Sequence, residues 1–163
     1  MRIKRLMQLA LLTGLALVLF VIELYIPNPF PIPGIKLGLA NIITVFAVYR
    51  YRAGEVCMIV AVRLVLAALL GGNMTALLYS LAGSILCLIG MLFLKRVLDD
   101  KHIWVASVLG AVLHNVGQIA AAMVLLGAGA AVYLPFLLVS GCLAGAFTGL
   151  CAQLVIARLQ KIE

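Results

Sequence analysis

Six long apolar segments occupy most of this chain and decide what it can fold into. They cover residues 6–26, 37–49, 53–70, 74–94, 103–126 and 131–157. About 20 consecutive apolar residues cross the hydrocarbon core of a bilayer as a helix. The pattern therefore predicts an all-α integral membrane protein with six transmembrane helices in a single domain, 1–163. The second segment is short, covering roughly 20 Å at about 1.5 Å per residue, so we expect an indented membrane face above it.

The composition excludes a soluble domain. Hydrophobic residues make up 66% of the chain and charged residues 10%, whereas a soluble domain carries about a quarter charged residues. Ten of the twelve basic residues mark every second boundary between segments: Arg2, Lys4 and Arg5; Arg50 and Arg52; Lys95, Arg96 and Lys101; Arg158 and Lys161. Since cytoplasmic loops accumulate Lys and Arg, this spacing predicts that both termini are cytoplasmic. Topology thus explains the net charge of +7, and we expect membrane lipid rather than nucleic acid as the surrounding partner.

Polar residues inside the apolar segments concentrate in the outer half of the bilayer. Such residues are costly in lipid and usually face the bundle interior or a cavity, so we expect a pocket that opens outward. His114 and Gln118 lie one turn apart and should point the same way. The alternative for each is a hydrogen bond to a neighbouring helix, which we expect for Asn115. The candidate substrate contacts are Arg63, His114, Gln118, Asn41, Lys36 and Tyr79.

Arg63 is the most informative single residue because a guanidinium near mid-bilayer needs an anionic partner. Glu23 is the only acid within a predicted span that lies in the same half. Either these two residues form a salt bridge or Arg63 meets an anionic ligand, and the sequence leaves both open. Lys36 ends the connection 27–36, which holds four of the five prolines. That connection is either a stiff linker or a segment that folds over the outer end of the bundle.

Small residues at four-residue spacing predict close helix packing. Gly141, Gly145 and Gly149 form two overlapping GxxxG steps, which we expect to pack inside the bundle. Ala10 and Gly14 form a similar step on the first helix. For this step, packing inside the bundle and docking onto a separate protein remain alternatives.

The residues needed for catalysis or cofactor binding are not evident. The cysteines at 57, 87, 142 and 151 have no CxxC spacing, and two histidines cannot assemble a metal cluster. No phosphate-binding glycine loop with lysine is present, so ATP use requires another protein. Asp99 and Asp100 suggest the DDxxD motif of prenyl diphosphate synthases, but Ile103 stands where the third aspartate should be. We expect no catalytic residue, metal or cofactor.

Two runs carry a family resemblance: residues 33–42, PGIKLGLANI, and residues 110–118, GAVLHNVGQ. They resemble the Gx transporter family, often labelled heptaprenyl diphosphate synthase component I, across essentially the whole chain. That family is similar to the S components of energy-coupling factor (ECF) transporters. The resemblance implies a six-helix bundle in the bacterial plasma membrane that captures a small vitamin-like or precursor molecule under a first outer loop. It also implies that Ala10 and Gly14 dock to a transmembrane coupling subunit with two cytoplasmic ATPases, although the usual motif has Ala at both positions.

The leading functional hypothesis is therefore a substrate-binding subunit whose transport is powered by a separate ATPase module. One alternative takes the family label literally and makes the chain a noncatalytic membrane subunit for polyprenyl diphosphate or quinone synthesis. The other is a scaffold for membrane electron transfer, which would depend on redox partners because this chain has no ligand set for haem or iron–sulfur clusters.

Overall fold

The computed structural model describes residues 3–26, 38–71 and 74–161. All regular structure in these residues is helical. The six α-helices are α1 (Ile3–Tyr25), α2 (Leu39–Arg50), α3 (Ala53–Gly71), α4 (Met74–Leu94), α5 (Ile103–Leu126) and α6 (Leu134–Leu159). Short 3-10 helices, Asp100–His102 and Ala128–Tyr133, precede α5 and α6. The predicted all-α fold with six helices is confirmed.

Five of these helices are long and apolar enough to cross a bilayer, and α2 is the exception. With 12 residues it is about 18 Å long at ~1.5 Å per residue. The sequence prediction of a short second helix is thus confirmed, although α2 runs from Leu39 to Arg50 rather than over 37–49. The chain is a multi-pass membrane protein by length and hydropathy; the cytoplasmic placement of its termini stays a prediction.

The sixth helix begins later than the apolar run suggests. Residues Ala128–Tyr133 form a 3-10 helix, and α6 starts at Leu134 with a proline in its first turn. Proline is well tolerated there because the first N–H groups of a helix have no partner within the helix. The proline-rich connection and Lys36 lie outside the described residues.

Glycine contacts pack α4, α5 and α6 tightly together. A Cβ atom at Gly145 of α6 would lie 2.8 Å from Val108 Cα, and one at Gly149 would lie 2.7 Å from Trp104 Cα. At the α4–α5 crossing, a Cβ atom at Gly117 would lie 2.9 Å from Gly83 Cα. The prediction that the GxxxG steps of α6 pack inside the bundle is confirmed, and α5 is the central helix of this half.

The other half of the bundle consists of α1, α2 and α3, and α2 is its most deeply buried helix. Val45, Ala47 and Val48 of α2 have at most 2% of their surface exposed. They belong to an apolar core that includes Leu9, Val56, Ile59, Met91, Ile103 and Ile156. These side chains come from the start of α1, α3 and α5 and the end of α4 and α6. The core therefore fills the end of the bundle where the chain begins and ends.

Charged residues connect the helices at this same end of the bundle. Arg5 donates from Nε and Nη2 to the two carboxylate oxygens of Glu55, each over 2.8 Å, and its guanidinium lies 4.2 Å from the Tyr51 ring centroid. Lys95 donates to the backbone oxygen of Val48 over 2.6 Å. These contacts join α1 and α4 to the end of α2, the start of α3 and the connection between them.

Candidate functional site

A cavity of about 310 Å³ lies at the opposite end of the bundle. Its walls come from the end of α1, the start of α2, the end of α3, the start of α4, and the middle of α5 with the adjoining part of α6. Polar or charged side chains on the wall belong to Glu23, Asn41, Arg63, Ser80, His114, Asn115, Gln118 and Ser140. The remaining wall is largely alanine and leucine. This arrangement agrees with the predicted grouping of polar residues in one half of the bilayer.

Arg63 lies on the α3 side of the cavity with 7% of its surface exposed. Its Nη1 atom donates to Asn41 Oδ1 and to Thr44 Oγ1, each over 3.3 Å. Asn41 and Thr44 lie three residues apart on α2, so one face of this short helix presents both oxygens to the guanidinium. The two helices are thereby joined by a cation bonded to neutral groups.

Glu23 does not form the ion pair with Arg63 that the sequence left open, and it contacts the start of α2 instead. Its carboxylate oxygens accept hydrogen bonds from the backbone N–H groups of Gly38, over 2.6 Å, and Leu39, over 3.1 Å. Gly38 adopts a left-handed backbone with φ of 74° directly before α2, a conformation that favours glycine. A carboxylate at a helix N-terminus satisfies N–H groups that lack partners within the helix and interacts favourably with the helix dipole.

Arg63 and Glu23 therefore line the same cavity without forming a salt bridge. Both residues are described, and no guanidinium nitrogen of Arg63 lies within 4.0 Å of a Glu23 oxygen. The hydrogen-bonding needs of the carboxylate are met by the start of α2. Arg63 is therefore held at the cavity wall by its hydrogen bonds to Asn41 and Thr44 and not by a direct ion pair.

The polar face of α5 forms another part of the cavity wall. His114, Asn115 and Gln118 all line the cavity. Asn115 Nδ2 donates to the backbone oxygen of Leu137, so the predicted interhelical bond to another span is confirmed. Gly83 allows α4 to pack directly against the α5 backbone at His114. A Cβ atom at Gly83 would lie 2.6 Å from the His114 carbonyl oxygen.

The cavity thus brings together four of the six predicted contacts: Arg63, His114, Gln118 and Asn41. Tyr79 is half-buried and is not among the residues on the cavity wall, whereas its neighbour Ser80 is. Lys36 lies outside the described residues. Thr44 was not among the predicted contacts, although its three-residue spacing from Asn41 was a signal for a shared polar face.

The metal-binding capacity of the site is limited. Within 3–26, 38–71 and 74–161, no group of three or more His, Cys, Asp or Glu side chains could hold a metal ion. The four cysteines are free thiols. The groups that converge on the cavity are instead one guanidinium, one carboxylate, one imidazole, amides and hydroxyls, which suit hydrogen bonding to an organic molecule.

Comparison with known protein families assigns the chain to one of them. The family model described as heptaprenyl diphosphate synthase component I matches residues 12–155. The chain belongs to this family. The match includes every described polar residue of the cavity and Gly14, but it begins after Ala10. The description of the family links its members to heptaprenyl diphosphate synthase; no curated protein and no solved structure shows significant similarity to the chain.

Proposed function

We propose that this member of the heptaprenyl diphosphate synthase component I family is the substrate-binding membrane subunit of an uptake system. In this role it resembles the S components of ECF transporters, captures a small vitamin-like or precursor molecule in the bacterial plasma membrane, and has no catalytic activity of its own. Both termini face the cytoplasm, where a separate ATPase module supplies the energy. The observation that carries the proposal is the cavity beside Arg63 within a membrane bundle.

The apolar core on the other side of the cavity supports binding rather than conduction. Leu9, Val48, Val56 and Met91 are among the side chains that fill the bundle between the cavity and the end where the termini lie. A channel would need a polar path through that region. A closed inner end is the arrangement expected for a subunit that captures a molecule on one side and releases it only after a conformational change driven by a partner.

The outer surface of α1 supports docking to a coupling subunit. Ala10 and Gly14 are both exposed, and a Cβ atom at Gly14 would have no neighbour within 4 Å. Unlike the glycines of α6, these small residues are not used for packing within the described chain. They leave a shallow stripe between exposed Met7 and Val18 on which another helix can approach closely.

The test is purification of the full chain from its native membrane, followed by identification of proteins that elute with it and of small molecules released on denaturation. We expect a transmembrane coupling subunit, two ATPases and a bound small molecule. Recovery of a soluble prenyl diphosphate synthase in their place, with no bound small molecule, would contradict the uptake role.

The family description favours a second candidate, a noncatalytic subunit for polyprenyl diphosphate or quinone synthesis. The cavity volume of about 310 Å³ is too small to enclose a whole heptaprenyl chain, although a head group or a short precursor fits. Co-expression with a soluble synthase distinguishes the two roles. The subunit role requires a change in synthase activity or product length, and the uptake role predicts none.

A further inference from the structure

The Arg63 guanidinium is a buried cation whose protein partners are neutral. Asn41 Oδ1 and Thr44 Oγ1 lie 3.3 Å from Nη1, longer than the ~2.7–2.9 Å of a typical bond between a cationic donor and an anionic oxygen. Across the described side chains, no carboxylate lies within 4.0 Å of Arg63. A buried charge that no carboxylate contacts directly is costly, and such residues in membranes mark binding sites and transport pathways.

The nearest candidate counter-charge is already engaged. Glu23 uses both carboxylate oxygens to accept the Gly38 and Leu39 N–H groups. Releasing it would leave the start of α2 with unsatisfied N–H groups in a partly buried position. The fold therefore holds the only described acid of the cavity in place at α2 and keeps a guanidinium at the cavity wall.

We propose that the substrate is an organic monoanion whose negatively charged group binds Arg63 and whose body is mainly apolar. This inference rests on the proposed function, because it names the class of molecule that the uptake subunit captures. The apolar body lies against the surface formed by Leu64, Ala67, Ala68, Leu77 and Ala144. Neutral donors and acceptors on the other walls, among them Ser80, Gln118 and Ser140, orient its remaining polar atoms.

The charge count favours one negative charge. The described wall contributes a single arginine and no lysine, and its one carboxylate, Glu23, remains a negative charge at α2, so only one anionic group of a bound molecule can pair with a cation of this wall. The several charges of a diphosphate would exceed this positive charge in a poorly solvated site, where uncompensated charge is strongly unfavourable. The volume of about 310 Å³ lies at the lower end of the roughly 300–1,000 Å³ of small-molecule sites, so it also favours a small molecule.

The experiment uses the purified full chain in detergent and a small-molecule extract of the source cells as the probe. Anion exchange separates the extract into an unretained neutral and cationic fraction, a low-salt fraction of monoanions and a high-salt fraction of polyanions. Each fraction is incubated with immobilised wild type, Arg63→Gln and Arg52→Gln. Retained molecules are identified by mass spectrometry. Arg52 is exposed, so Arg52→Gln is the matched control.

We expect wild type and Arg52→Gln to retain a molecule from the monoanion fraction, and Arg63→Gln to retain at least tenfold less. Retention of a neutral molecule or a polyanion in place of a monoanion overturns the inference while leaving the proposed function intact. Equal retention of the monoanion by Arg63→Gln also overturns it. Failure of wild type to retain any molecule counts against both. If Arg63→Gln does not fold, the fraction from which wild type takes its molecule still decides the charge class.

Discussion

Arg63 of α3 donates a hydrogen bond from Nη1 to the side-chain amide oxygen of Asn41 on α2, over 3.3 Å. This bond joins two helices at the cavity wall and presents a buried cation to a neutral acceptor. Replacing the amide by a carboxylate of nearly the same shape would supply the missing negative charge from within the protein. An aspartate at position 41 would therefore place a negative charge beside Arg63 in the absence of any ligand.

We predict that Asn41→Asp lowers retention of the monoanion fraction at least tenfold and leaves the melting temperature unchanged or higher. The new carboxylate neutralises Arg63 and repels an incoming anion. The measurement is retention by mass spectrometry, with thermal unfolding in detergent. Gln8→Glu makes the same change from amide to acid at an exposed position of α1 and should behave as wild type. Wild-type retention by Asn41→Asp would contradict the role of Arg63.

Glu23→Gln tests the carboxylate that satisfies the start of α2. Glutamine retains one acceptor oxygen but loses the second and the negative charge, so we expect a loss of about 1 kcal/mol in stability. Thermal unfolding in detergent measures this change. Asp99→Asn is the control, because Asp99 precedes a 3-10 helix and makes no capping hydrogen bond with its side chain. Equal melting temperatures for the two variants would argue against the proposed stabilisation.

Gly145→Ala tests the contact between α6 and α5. The added methyl group would lie 2.8 Å from Val108 Cα and 3.0 Å from the Ser107 carbonyl oxygen, so the helices must separate. We expect a destabilisation of about 1–3 kcal/mol, typical of overpacking. Gly54→Ala has open space around the new methyl group and should be neutral or slightly stabilising. The two melting temperatures are compared, and a tolerated Gly145→Ala would mean that this packing is looser than described.

Ala10→Leu and Gly14→Leu test the proposed docking surface on α1. Both residues face outward, so the variants should fold normally but recover much less coupling subunit on purification from the native membrane. Quantitative mass spectrometry of the co-purified proteins measures the loss. Ala61→Leu places the same side chain on an exposed face of α3 and should leave recovery unchanged. If all three variants retain the partner equally, docking occurs elsewhere.

Hydropathy and small-residue spacing predict most of this fold. The six helices, the shortness of α2 and the packing of Gly145 within the bundle follow from periodicity along single segments. A bond from Asn115 to a neighbouring helix was also predicted, because a buried amide in a membrane span needs a partner, and the structure identifies that helix as α6. Features that depend on the hydropathy of one helix, or on the need of one buried polar group for a hydrogen bond, can be predicted from the sequence.

The partners of Arg63 and Glu23 could not be predicted in the same way. They depend on how α1, α2 and α3 are rotated about their axes, which the sequence constrains only weakly because these helices are apolar on most faces. Depth along the membrane left Glu23 as a possible partner for Arg63, whereas the helix rotations place Thr44 there. The rotation of α4 about its axis is equally unconstrained, which explains why Tyr79 was predicted at the cavity while its neighbour Ser80 lines it.

The glycine contacts among α4, α5 and α6 also limit how the shape of the cavity can change by substitution. Backbones that touch at Gly83 and Gly117 cannot accept larger side chains without moving apart, so the His114 wall has a nearly constant shape. The α3 part of the wall is made by side chains such as Arg63 and Ala67, which can change without separating two backbones. Changes in the shape of the cavity should therefore arise on the α2 and α3 side, while the backbone contacts keep the α5 side in place.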